Sequence, residues 1–410
     1  MAAGRRMLGA TAAVGAFVAL GTPAPTAHAD IDDLFQPIID ALSAFDPGTA
    51  AETDPGLALA SLDTMFDGWY QNLVNTPIND LEQWIFGGAA DSSVAGSAAA
   101  SGVDADIPST FSVPLQVNSG TEPVVNVSVG GGPESSVLVD TGSAGLVMPI
   151  SDINWSGIDW SDLSGLPTIQ YGEYGNSLGY FYTELPTTVG FTDSAGDTVT
   201  SGTTDVDAVL FAFPVSLTSL LNGDWTLSSY LGGNADGILG IGANAVGPTP
   251  GSIPTTALPG ALGDGVLIDQ KDGALTFGAD PLTGGVTVAG SPNPTTPLYV
   301  SFDGGKTATE VSSVLDSGGV YGTIPVSLTN GSAGQALAAG QQVSVYSGDP
   351  TNGGALLYGY TVNSSSSNSP TIVSGTTMNT GNWLFQQNQV YVSTSGDGSM
   401  HIVPNNVVTP

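Results

Sequence analysis

Residues 137–149, VLVDTGSAGLVMP, have an echo at 313–325, SVLDSGGVYGTIP. In each segment an apolar run meets an Asp, then Thr or Ser, then Gly, and a proline follows nine positions after the acid. No other Asp-[Thr/Ser]-Gly triplet occurs in the chain. One such triplet is an ordinary turn. Two in matching apolar frames, with Asp140 and Asp316 lying 176 residues apart, imply a duplicated lobe. In each frame the Gly after the hydroxyl residue lets another backbone approach closely, so the two acids can meet at a shared axis. Carboxylates held about 3 Å apart cannot both ionise, and they share one proton. Such a pair is a general base and a general acid at once.

Other catalytic chemistry is narrowly bounded: a Ser-His-Asp triad would have to run through His401. There is no cysteine, which removes thiol nucleophiles, thiolate metal sites and disulfides. The only histidines are His28 and His401, too few for a multi-histidine zinc site. His401 reads as a half-exposed strand residue near the C-terminus. The paired-acid chemistry needs no metal or cofactor, and none is expected. With 37 acids against 4 bases the formal net charge is −33, which repels nucleic acid and anionic lipid.

The 57 Gly and 27 Pro, with only 10% charged residues, favour short strands joined by tight turns. A mostly β fold is expected, and from Ser109 onward alternating segments such as TFSVPLQV, VVNVSVG and NQVYVSTS support it. Residues 1–29 read as a secretory signal: Arg5 and Arg6, an apolar run over Met7–Leu20, and Ala27-His28-Ala29 before Asp30. The apolar run is too short to span a bilayer, and no later stretch is long enough. The expected product is exported, secreted or held at the cell envelope, after cleavage near Ala29. Residues 30–86 carry apolar side chains at helical spacing (Ile31, Leu34, Ile38; Leu62, Met65, Phe66, Trp69), and 87–106 read as a small-residue linker. The two lobes are then expected over 107–272 and 273–410.

On these motifs the chain resembles the two-lobed, pepsin-like aspartic proteases over roughly 107–404. The resemblance implies a bilobal acid-protease fold with Asp140 and Asp316 as the catalytic acids. It implies that Thr141, Gly142, Ser143, Ser317 and Gly318 support the catalytic loops. IQYGEYGNSLGYF at 169–181 resembles the substrate-covering flap hairpin, with Tyr171 as first choice for its tyrosine, Tyr174 as second, and Gly172 following Tyr171. ADGILGIG at 235–242 matches the family's apolar-apolar-Gly segment behind the first catalytic loop, and Gly381 is the counterpart of Gly240. Two positions depart from the family. Val147 stands where a tryptophan often braces the flap, and Gly319 stands where a hydroxyl would match Ser143. A narrower resemblance, in the Gly/Asn-rich lobes and the phrases DLFQPIIDAL and NTPINDLEQWIFG, is to mycobacterial proteases that process PE-type surface proteins. Here a signal peptide stands in place of a PE domain.

The leading reading is a monomeric, exported aspartic endopeptidase acting on protein or peptide substrates. A pepsin-like peptide- or envelope-binding protein without turnover is the alternative, and retention of both acids argues against it. A glycosidase with paired carboxylates accounts for the acids but not for the repeated frame.

Overall fold

The computed structural model describes residues 108–405 apart from 163–167, 176, 246 and 248–251. The signal peptide, helical segment and linker expected over 1–106 lie outside the described residues. Among those that are described, strands dominate, and the α-helices are three short ones, Leu217–Asn222, Leu227–Tyr230 and Trp383–Gln387. The mostly β expectation holds.

Backbone contacts divide the chain into two units. The larger, among the described residues, comprises 108–162, 184–208 and 234–405 and contains both acid frames. Its six-stranded sheet runs Thr110–Pro114, Ala274–Gly278, Gly265–Asp269, Asn388–Ser393, Ser399–Pro404 and Val286–Ala289 in spatial order. This sheet takes strands from both halves of the sequence. The expected lobe boundary at 272/273 falls in the turn of its hairpin Gly265–Asp269/Ala274–Gly278. The frames themselves belong to two other sheets. The first acid closes the strand Glu134–Asp140, and the second follows the strand Thr309–Val314 of a seven-stranded sheet.

The first acid strand does not alternate. Val137, Leu138, Val139 and Asp140 are all buried: the strand is interior to its sheet, between Glu122–Val129 and Gly237–Ile241, and side chains on both of its faces are covered. Leu146, Val147 and Met148 on the return strand Ala144–Pro149 are likewise fully buried, as are Leu239 and Ile241. Each such side chain is worth about 1.5–3 kcal/mol of burial. Several of them clamp the loop between 140 and 144, so its carboxyl is presented by a rigid support.

The smaller unit, among its described residues, comprises 168–183 and 209–233. It contains the hairpin of Ile169–Tyr174 with the start of Leu178–Thr187, in which Tyr171 pairs with Phe181 and Gly172 with Tyr180. Its two helices start on capping boxes at Ser216 and Thr226, which satisfy the free N–H groups of the first turn.

Candidate active site

The two acid loops meet through a reciprocal network. The Thr141 N–H donates to Ser317 Oγ at 3.0 Å, and the Ser317 N–H donates to Thr141 Oγ1 at 2.9 Å. Each hydroxyl then donates to the backbone of the opposite strand. Thr141 Oγ1 reaches Leu315 O at 2.7 Å, and Ser317 Oγ reaches Val139 O at 2.6 Å. Thr141 and Ser317 are fully buried, and the N–H and hydroxyl of each find their partners within this crossing. The next residue must be glycine on both sides. A Cβ at Gly142 would lie 2.6 Å from Asp316 Cγ, and one at Gly318 would lie 2.8 Å from Asp140 Oδ1. Each loop's glycine leaves the space that the other loop's acid fills.

The inner donors are matched as well. Gly142 N–H donates to Asp140 Oδ1 at 2.7 Å, and Gly318 N–H donates to Asp316 Oδ1 at 2.9 Å. The two carboxyls are neighbours, each beside the glycine of the other loop. Asp140 is 8% exposed, and its burial holds the carboxyl well above the usual carboxylate range. The adjacent Asp316 raises it further, against the opposing pull of Ser143 and the Gly142 N–H.

Strand pairing behind the loops repeats too. Gly237–Ile241 runs parallel to the first acid strand with Gly240 opposite Asp140, and antiparallel to the return strand with Gly240 opposite Gly145. In the second frame Thr377–Asn379 runs parallel to Thr309–Val314, with Asn379 opposite Val314. Gly381, expected as the counterpart of Gly240, lies two residues beyond this pairing, with φ +60°, and a Cβ there would meet Gly322 N and Val320 O. Ile238 and Leu239 are core side chains, 2% and 0% exposed, and Val147 is a third, paired with Ile238.

The outer oxygens break the symmetry. Ser143 Oγ donates to Asp140 Oδ2 at 2.6 Å. Gly319 has no hydroxyl, and the donor to Asp316 Oδ2 is instead Asn379 Nδ2, at 2.5 Å. The second acid is therefore supported, from a strand 63 residues further along the chain. Thr380 Oγ1 accepts the Asp316 N–H at 3.1 Å, and Asn382 Nδ2 donates to Ser317 O at 2.8 Å. These three residues escaped the sequence reading. A signal was present: Asn379-Thr380-Gly381 puts two polar residues where Ile238-Leu239-Gly240 has two apolar ones.

The other residues singled out lie elsewhere. Tyr171, Gly172 and Tyr174 are in the hairpin of the smaller unit. There the Tyr171 hydroxyl donates to Glu173 Oε2 at 2.9 Å and its ring packs on Phe181 and Phe213, while Tyr174 stacks between Tyr180 and Tyr230. A side chain at Gly172 would collide with the Tyr180 ring. His401 sits in the strand Ser399–Pro404, its Nδ1 2.6 Å from Asp280 Oδ2.

The family model for the PE-PGRS C-terminal aspartyl peptidase-like domain matches residues 111–401. PE cleavage protein A of Mycobacterium tuberculosis (strain ATCC 25618 / H37Rv) is 43% identical over 298 residues, covering 70% of this chain and 50% of that protein. Its namesake in Mycobacterium marinum (strain ATCC BAA-535 / M) is 41% identical over 298 residues, with 70% and 51% covered. The chain thus spans about half the length of the curated relatives it matches. The crystal structure of an aspartic proteinase from Irpex lacteus superposes with a TM-score of 0.46 at 17% identity, over 73% of this chain and 98% of that one. With the matched region enclosing both acid loops and their supporting strands, the chain belongs to the PE-PGRS C-terminal aspartyl peptidase-like domain family.

Proposed function

We propose that this protein is an exported aspartic endopeptidase in which water is activated between Asp140 and Asp316. The observation that carries the reading is the reciprocal crossing of the two loops, which brings two carboxyls together in one partly buried site with complementary donors behind each. A pair sharing one proton performs both halves of peptide hydrolysis. One carboxylate takes a proton from water as its oxygen bonds to the carbonyl carbon. The partner gives its proton to the carbonyl oxygen. Collapse of the resulting diol, with proton transfer to the amide nitrogen, releases an amine and a carboxylic acid and returns the dyad to its starting state. No covalent intermediate forms. Export rests on the signal-like residues 1–29. The substrate class to test first is a PE-type polypeptide, because the two relatives carry the name PE cleavage protein A.

The decisive experiment compares the full chain with Asp140→Asn and Asp316→Asn on an unfolded protein substrate at acid pH. Each variant is expected to lose at least a thousandfold in kcat/KM, about 4 kcal/mol of transition-state stabilisation, while keeping the parent circular dichroism spectrum. Full cleavage by either variant removes the mechanism.

A further inference from the structure

Asn379 is placed to give a hydrogen bond to Asp316 and not to accept one. Its Oδ1 accepts the backbone N–H of Gly381 at 2.8 Å, which fixes the amide orientation and leaves Nδ2 facing Asp316 Oδ2. A flipped amide would set its NH2 group against the Gly381 N–H and its oxygen against the carboxyl. The other oxygen of Asp316 already accepts the Gly318 N–H. Both oxygens of Asp316 therefore face groups that donate and cannot accept.

Asp140 is served differently. Its Oδ1 accepts the Gly142 N–H, but its Oδ2 faces the Ser143 hydroxyl, which rotates to give or to take a hydrogen. A proton on Asp140 can point to Ser143 or to Asp316. A proton on Asp316 can point only toward Asp140, and it weakens an N–H bond wherever it sits. We infer that Asn379 is a positioning residue that holds Asp316 as the carboxylate of the resting pair and leaves the shared proton on Asp140. It follows that Asp316 takes the proton of the attacking water and Asp140 protonates the carbonyl oxygen. The assignment rests on the reading of the two acids as a shared-proton pair.

Two further observations agree. Asp140 is the more buried of the two, which favours its neutral form. Gly319 is glycine because a Cβ there would fall on Asn379 Oδ1 and lie 2.8 Å from Asp316 Oδ2. A hydroxyl residue at 319 and the amide at 379 exclude each other, and this chain has the amide. The ionisable group facing Asp316 from the first loop is Asp140. The segment 377–382 that packs against it carries none, and its own loop carries Tyr321, whose ring turns to Trp383.

The test is the pH dependence of kcat/KM for the full chain, Asn379→Ala, Ser143→Ala and the double variant Gly319→Ser/Asn379→Ala, with thermal melts as a check on folding. Asn379→Ala is expected to move the acid limb up by about one pH unit, the equivalent of one hydrogen bond to a charged group, and to leave the alkaline limb in place. Ser143→Ala is expected to move the alkaline limb alone. The double variant, with a hydroxyl in the vacated space, is expected to return the acid limb toward that of the parent. Because coupled acids titrate as a pair, carbon-13 carboxyl NMR of the parent, assigned with Asp140→Asn and Asp316→Asn, reads which acid ionises first without relying on turnover. Asp316 ionising first supports the inference even if the parent cleaves nothing, an outcome that would sink only the proposed function. Asp140 ionising first, or an Asn379→Ala variant that shifts only the alkaline limb, overturns it.

Discussion

Asp140 is held in the fold at a cost. A carboxyl at 8% exposure beside a second acid binds its proton more tightly than it does in the unfolded chain. Between the unfolded value near 3.8 and the raised folded value, the native state binds more protons than the unfolded one. Its contribution to stability is therefore present at low pH and lost as pH rises through that window. Asp140→Asn keeps the shape, removes the titration, and is expected to raise the melting temperature at pH 7 relative to the parent, by several degrees more than at pH 3.5. Equal shifts at both pH values in a calorimeter would contradict this account. The same substitution that is expected to abolish cleavage should thus stabilise the protein, the trade expected where a site is kept for function at a cost in stability.

At the scale of elements, the loop bearing Asp140 depends on how closely the strand Gly237–Ile241 can pass behind it. Gly240 is required there for space and not for an unusual dihedral. A Cβ would lie 2.5 Å from Ala144 N and 2.6 Å from Ser143 C, and those backbone atoms have nowhere to go. Gly240→Ala is expected to destabilise by about 1–3 kcal/mol, read as a lower urea midpoint, and to reduce cleavage at least tenfold by displacing Ser143. Gly375, which has open space around its Cβ position, supplies the control: Gly375→Ala should leave both quantities within error. The burial along 137–140 was legible as an apolar run, and the glycines as points of close approach. The hairpin at 169–181 was also legible, because alternating aromatic residues around a Gly turn specify antiparallel pairing.

Over the whole molecule, charge dominates. A formal −33 carried with only four bases leaves few acids with a cationic partner, and His401 with Asp280 is the ion pair found among the described residues. Repulsion between exposed carboxylates extends over roughly 30 Å at 10 mM salt and about 8 Å at 150 mM. Raising salt across this range at pH 7.5 is expected to increase the melting temperature measurably. The same change at pH 4, where many carboxylates are protonated, should do much less. A salt response that is equal at both pH values would show that self-repulsion is not what limits the fold.

The chain on its own singles out the groups to which the chemistry is assigned in the proposed function. The duplicated frame, the scarcity of histidine and the absence of cysteine leave Asp140 and Asp316 as the pair, and the hydroxyl and glycine beside each follow from the frame. Local sequence carries these features because each depends on neighbours a few residues away. What only the tertiary structure decided is how the second acid is supported. Gly319 reads as a missing hydroxyl until the strand Thr377–Asn379 is laid beside Thr309–Val314 and brings Asn379 to Asp316. A hydrogen bond between side chains 63 residues apart is set by strand register, and register is settled by the packing of the whole sheet. The difference between the two acids, one facing a hydroxyl and one facing an amide, arises at that level.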